Sequence, residues 1–255
     1  MIKLSIITIS LNEENSIGNT IDSVIMQDFN EYEYIVIDGG SKDNTIEIIK
    51  SYGNKISRFI SEPDNGIFSA QNKGIRFSQG EYVLFLNAGD YFFNNSVLTK
   101  VFSYKPDADI CYGDIVFLRN SGIQYKKRSP HKITASYMFV DSIPHPATLT
   151  KRSLFEKIGY YNEKLNLSAD YEFSLRAIFK YNCTYKYIPV AISVFNLKGK
   201  SSLLENSTSS IDERNFSFKI NIDKKRIKFL NLFKPFLIIF LKKYYHLLDY
   251  IMNRV

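Results

Sequence analysis

The amino-acid sequence predicts an α/β fold with a mostly parallel central sheet flanked by helices. Strand-like and helix-like segments alternate from residue 3 to about 113, the pattern of strands joined by helical crossovers. Val83 to Leu86 is apolar on both faces, as a strand buried inside a parallel sheet must be. That run ends in Asn87-Ala88-Gly89-Asp90, and ligands of open α/β sheets sit beyond such carboxyl ends.

In chain order, Lys3 to Ile9 reads as a strand, and Asn15 to Gln27 as a helix with Ile17, Ile21, Val24 and Ile25 on one face. Tyr32 to Ile37 is a strand closed by the turn Asp38-Gly39-Gly40-Ser41, and Asp43 to Tyr52 a helix that packs through Ile46, Ile48 and Ile49. Arg58 to Ile60, Phe68 to Phe77, Glu81 to Leu86, Ser96 to Tyr104 and Ile110 to Tyr112 continue the alternation as strand, helix, strand, helix and strand. After residue 113 the pattern changes. Asp114 to Arg119 and Ile123 to Lys127 flank a turn at Asn120-Ser121-Gly122 and predict a hairpin. Helices are expected at Lys151 to Ile158 and Asp170 to Lys180, a strand at Tyr185 to Phe195, and a polar loop from Asn196 to Ser202. The division is therefore residues 1–113 as one half, 114–223 as a second half of the same domain, and 224–255 as a basic tail.

The chain has 255 residues, 45% hydrophobic and 23% charged, the balance of an ordinary folded core. Its two cysteines, Cys111 and Cys183, have no metal-type spacing, so reduced thiols in a cytoplasm are expected. The N-terminal segment reads as a strand rather than a signal peptide. The net charge is +7, and Lys224, Lys225, Arg226, Lys228, Lys234, Lys242, Lys243 and Arg254 fall in the last 32 residues. Phe236 to Leu241 is six apolar residues, far short of the roughly 20 that cross a bilayer. With Tyr244, Tyr245, Leu247 and Leu248 beyond it, the tail predicts a basic amphipathic helix lying in a membrane interface. The other reading is a helix docked on the body or on a partner subunit, which leaves a homodimer open. The apolar run favours lipid over nucleic acid as the partner.

Four loops gather at one edge of the predicted sheet: Ser10 to Glu14, Asp38 to Ser41, Asp64 to Gly66 and Asn87 to Asp90. Glycine lets a backbone approach a ligand closely, and helix N-termini accept phosphate. Together the loops predict a nucleotide site, although Asn-Ala-Gly-Asp by itself also describes an ordinary turn.

In order, Ser5 to Glu14, Ile37 to Thr45, Ser61 to Gly66 with Ala70 to Gly74, and Gly80 to Asp90 resemble the donor half of family 2 glycosyltransferases. Pro144 to Thr148, Phe155 to Glu163 and Ala169 to Arg176 resemble the acceptor half, and the resemblance spans about residues 3 to 200. It implies a GT-A (nucleotide-diphospho-sugar transferase) fold. It also implies inverting transfer of a sugar from a nucleotide diphosphate donor, a UDP-sugar being favoured, to a saccharide or lipid-linked acceptor. Asp90 matches the last carboxylate of the family's Asp-x-Asp region and is the implied ligand of Mn²⁺ or Mg²⁺. Asn87 and Gly89 stand where many members carry acids, which leaves one strong protein ligand. Asp170 matches the family's general base, with helix capping as its structural alternative. Ser10, Asn12, Asp38, Asn72 and Lys73 fall at implied donor-binding positions. Gly39 replaces a second Asp found in many members, and Gln71 a position often basic. His145, Lys198 and Lys200 are candidates for the acceptor or diphosphate pocket, against structural histidine and solvated lysine readings.

The segment after the first strand, Ser10-Leu11-Asn12-Glu13-Glu14, lacks the G-x-G-x-x-G turn of a dinucleotide oxidoreductase. It also lacks the Gly- and Arg-rich loop of a sugar nucleotidyltransferase, an alternative that pyrophosphate release would reveal. A catalytically degenerate relative that binds nucleotide or membrane is the remaining alternative. The expected setting is the inner face of a bacterial plasma membrane, in surface-polysaccharide assembly.

Overall fold

The computed structural model describes residues 1–118, 124–196 and 208–232. Lys198 and Lys200 and the tail beyond residue 232 lie outside the described residues.

The first half follows the predicted alternation. Strands β1 (Leu4–Ser10), β2 (Tyr32–Asp38), β3 (Arg58–Ser61) and β4 (Tyr82–Phe85) are linked by helices α1 (Ile17–Ile25), α2 (Thr45–Ser51) and α3 (Ile67–Phe77). They pair in parallel in the order β3-β2-β1-β4. Leu4 and Ile6 point to one face of β1 and Ile7 and Ile9 to the other, so each face of the sheet has its own core. Both faces are covered by helices, which is why these strands read as continuous apolar runs. Each fully buried isoleucine here contributes about 1.5–3 kcal/mol.

The chain continues with β5 (Tyr91–Phe92), α4 (Val97–Ser103), β6 (Ile110–Leu118) and β7 (Gln124–Lys127). It continues with α5 (Ala135–Val140), a single turn at His145–Ala147, β8 (Thr148–Lys151), α6 (Arg152–Ile158), α7 (Ala169–Leu175) and β9 (Tyr185–Asn196). The sheet extends as β4-β8-β6-β9-β5, with β7 paired to β6 as the expected hairpin. β8 runs antiparallel to both its neighbours, while β6 and β9 are parallel. Three short elements escaped the sequence reading: β5, α5 and β8, none longer than 6 residues. The helix expected over Asp170 to Lys180 is α7 followed by a π turn, marked by Tyr181 N–H donating to the Arg176 carbonyl at 3.0 Å.

Two further helices close the described chain, α8 (Thr208–Asn221) and α9 (Lys224–Leu232). α8 packs on α7, and Phe218 stacks edge-on against Phe139 at 5.2 Å. The stretch 224–232, the start of the basic tail expected either in a membrane interface or docked on the body, docks on the body through buried Leu230 and half-buried Ile227. Among the described residues, no helix is long and apolar enough to cross a membrane.

Candidate active site

The exits of β1, β2, β3 and β4 lie at one sheet edge, because all four strands run in the same direction. The first two exit loops are knitted together. Asn12, held at φ +54°, accepts from Lys42 N–H at 2.8 Å, and its own N–H donates to the Ser41 hydroxyl at 2.8 Å. Asp38, wholly buried, accepts from Gly40 N–H at 3.0 Å, Ser41 N–H at 2.9 Å and the hydroxyls of Ser10 at 3.2 Å and Ser61 at 2.7 Å. Its charge is thus spread over the turn. Ser10, Asn12 and Asp38, expected to meet donor, here shape the loops that a donor would meet.

Lys73, expected near phosphate, forms ion pairs with Glu62 at 2.7 Å and Asp64 at 2.5 Å. Burial lowers the pKa of its ammonium, but the hydrogen bonds it donates to Asp64 and Glu62 outweigh this and raise it. Asn72 is buried and spends its amide across the cleft. It donates to the Tyr161 carbonyl at 3.0 Å and to Glu163 at 2.8 Å, and accepts from Tyr161 N–H at 3.0 Å. Its side chain thereby ties α3 to the segment that follows α6.

Asp90 follows Gly89, whose φ of +97° few other residues adopt. One carboxylate oxygen accepts from Asn196 N–H at 3.1 Å. Burial raises the carboxyl to about 8, with the Asn196 amide opposing and the Glu13 charge adding to the shift. A buried carboxylate that lacks a compensating cation holds its proton at neutral pH. Among the described residues, the buried Oδ1 of Asn87 and Oε1 of Gln71 have no hydrogen-bond partner, and both residues belong to elements at this edge. Among the described residues, no three His, Cys, Asp or Glu side chains form a metal cluster. The donor set still fits a magnesium-type ion, which takes one or two carboxylates and completes its shell with water and substrate phosphate. β9 ends at Asn196 against Asp90, so Lys198 and Lys200 follow this point closely in the chain.

Asp170 lies in the first turn of α7. The N-cap of α7 is Ser168, and the Asp170 carboxylate makes no hydrogen bond or ion pair among the described residues, so it does not cap its helix. It borders a small cavity of roughly 20 Å³ shared with Phe85, His145, Thr148, Thr150 and Tyr161, room for a water-sized guest. The His145 ring stacks on Phe85 at 5.1 Å between centroids and meets the Tyr161 hydroxyl at 3.4 Å. Burial lowers the His145 pKa, which the Asp170 charge partly offsets. The Tyr161 phenol is pushed far up by burial and then by Asp170, and stays protonated.

The remaining parts of α7 are anchored firmly. Arg176 binds Glu172 at 3.1 Å and donates to the backbone carbonyls of Ile158, Gly159 and Tyr160. Asn221 donates to Glu172 at 3.2 Å, and Glu213 accepts from Asn166 and Leu167 N–H at 2.8 and 2.9 Å. Asp170 is therefore a free carboxylate on a helix held from three sides. Tyr161, Thr148 and Thr150 were not singled out from sequence, because a Tyr-Tyr pair and a short Thr-rich strand carry no motif of their own.

Residues 5–171 match glycosyl transferase family 2. The chain is 26% identical to a PGL/p-HBAD biosynthesis glycosyltransferase of Mycobacterium bovis over 198 residues, 75% of this chain and 76% of that one. It is 32% identical to an uncharacterized glycosyltransferase of Mycobacterium tuberculosis over 180 residues, 68% of each. Among solved structures, S. aureus TarS in complex with UDP superposes with a TM-score of 0.63 at 23% identity, over 76% of this chain and 60% of that one. A Pyrobaculum calidifontis mannosyltransferase in complex with GDP-Man and Mn²⁺ gives 0.60 at 16% identity, over 89% of this chain and 64% of that one. The chain has the GT-A fold, and it belongs to glycosyl transferase family 2.

Proposed function

We propose that this glycosyltransferase moves a hexosyl or N-acetylhexosaminyl group, with inversion, from a nucleotide diphosphate donor to a hydroxyl of a lipid-linked saccharide. The observation that carries the reading is the unpartnered Asp170 carboxylate at a cavity shared with Phe85, five residues before Asp90. The acceptor hydroxyl attacks the anomeric carbon, the bond to the diphosphate breaks, and the hydroxyl proton passes to Asp170. A UDP-sugar is the favoured donor. Crystallised relatives in complex with UDP, UDP-GlcNAc and GDP-Man support a nucleotide-sugar donor in general. Mn²⁺ or Mg²⁺ held by Asp90, with Asn87 as a weaker oxygen, would offset charge on the departing diphosphate.

Asn12 and Asp38 fix the loops that receive the nucleotide, while the orphaned oxygens of Asn87 and Gln71 are acceptors for donor hydroxyls or water. His145, neutral in its buried setting, orders the acceptor side with Tyr161. Lys198 and Lys200 are the candidates to meet the diphosphate. The basic tail would hold the enzyme on the inner face of a bacterial plasma membrane, where surface polysaccharide is assembled.

The Asp170→Asn variant tests the reading. Turnover should fall by roughly 10² to 10⁴, the contribution of a placed base, while nucleotide affinity measured by calorimetry stays unchanged. Unchanged turnover would remove Asp170 as the base, and intact donor binding without any wild-type transfer would instead identify a degenerate relative.

A further inference from the structure

We propose that the outer face of α8, continued by α9, is a docking surface for an anionic lipid bilayer. This sharpens the membrane reading above by assigning the contact to the folded body rather than to residues beyond 232 alone.

The inner face of α8 is fully used. Phe218 and Asn221 are buried, Glu213 caps the backbone before α7, and Arg214 donates to the Asp141 carbonyl at 3.0 Å while covering the Tyr171 ring at 4.3 Å. The outer face is different in kind. Phe216 and Ile220, one helical turn apart, are 52% and 50% exposed. Lys219 of α8 and Lys224, Lys225 and Lys228 of α9 are exposed and form no ion pair among the described residues, and exposed Asp212 stands one turn before Phe216. Arg226 alone of this basic run is paired, with Asp223 at 3.1 Å.

Outward apolar side chains followed by a helix in which lysines outnumber acids match an interfacial bilayer site, where the apolar groups enter the headgroup boundary and the cations meet anionic lipid. A second copy of this chain would bring like charges together across an isologous contact, which disfavours it as the occupant. α8 packs on α7 and α9 on α5, so docking on this face brings the acceptor half, not the β3 edge, to the lipid. A lipid-linked saccharide would then arrive beside the helix that carries Asp170.

The test uses the full-length protein with vesicles of phosphatidylcholine, pure or with about 30% phosphatidylglycerol, the anionic fraction that attracts a polybasic surface. The wild type should co-sediment with the anionic vesicles and release at high salt, and Phe216→Ser with Ile220→Ser should weaken that binding by roughly tenfold or more. Both changes are at exposed positions, and unchanged melting would confirm that folding is intact. A Phe216→Cys variant can be labelled selectively with an environment-sensitive dye, since Cys111 and Cys183 are buried. Its emission should shift to the blue only when anionic vesicles are added. Wild-type binding by the double variant would overturn the proposal while leaving a tail-only membrane contact standing. Failure of the wild type to bind either vesicle would overturn both. A blue shift already present in buffer would assign the face to a second copy if it depends on protein concentration, and to another segment of this chain if it does not.

Discussion

Replacing Asn72 with alanine separates a structural role from donor binding. The side chain makes three hydrogen bonds, to Tyr161 N–H, the Tyr161 carbonyl and Glu163, from a position 1% exposed. Alanine removes all three and strands the backbone N–H and carbonyl of Tyr161, itself 6% exposed. Each buried polar group left unpaired costs about 1–3 kcal/mol. The loss should therefore be about 3 kcal/mol, allowing for some relaxation of the loop. With an unfolding entropy of about 2.1 cal/mol/K per residue for a chain of this size, that lowers Tm by roughly 6 °C. Differential scanning calorimetry reads Tm, and steady-state kinetics with varied donor reads KM. The expected pattern is a large fall in Tm with a modest change in donor KM. A Tm within about 1 °C of wild type, with donor KM raised tenfold, would refute the structural role and return Asn72 to the donor pocket.

Other substitutions probe separate parts of the fold and site. An added Cβ at Gly80 would lie 2.5 Å from the Ser5 backbone nitrogen, whereas one at Gly74 would meet the Ile7 side chain at 2.6 Å. Gly80→Ala should thus destabilise the protein more than Gly74→Ala, for which overpacking typically costs about 1–3 kcal/mol; urea unfolding of both decides the order. His145 has a folded pKa below its unfolded value, so the unfolded state takes up the proton first as pH falls. Its contribution to stability should be complete above about pH 6.5 and fade below it, and His145→Phe should lack that component in melting curves compared across pH. Asp90→Asn should abolish any strengthening of nucleotide binding by Mn²⁺ in calorimetry while leaving metal-free binding within a few-fold. Equal metal enhancement in the variant would place the ion elsewhere.

The first half of the fold was legible because its strands are buried on both faces and its helices carry clear apolar stripes. β1, β2 and β4 advertise themselves as Ile- and Val-rich runs, and the turns after them contain Asp, Asn and Gly. β8 was hidden because Thr148-Leu149-Thr150-Lys151 is four residues long and runs directly into a helix. The π turn after α7 leaves the same helical periodicity as an α-helix, so only the backbone hydrogen bond reveals it. Within the candidate site, the sequence proposes Asp90 and Asp170 but does not show where hydrogen bonds are spent. Asp38 and Asn72 carry the same side chains whether they face a ligand or brace a loop, and only coordinates distinguish these uses.

The direction of β8 has a consequence for how such enzymes can change. An antiparallel strand enters the sheet where its neighbour leaves it, so Thr148 begins beside the end of β4. His145, one turn earlier, thereby reaches the edge from which Asp90 departs, without any long crossover. The connection from β7 to β8 can lengthen, shorten or be exchanged, and the exits of β1 to β4 keep their places. One half of the cleft can stay fixed while the other is re-tooled.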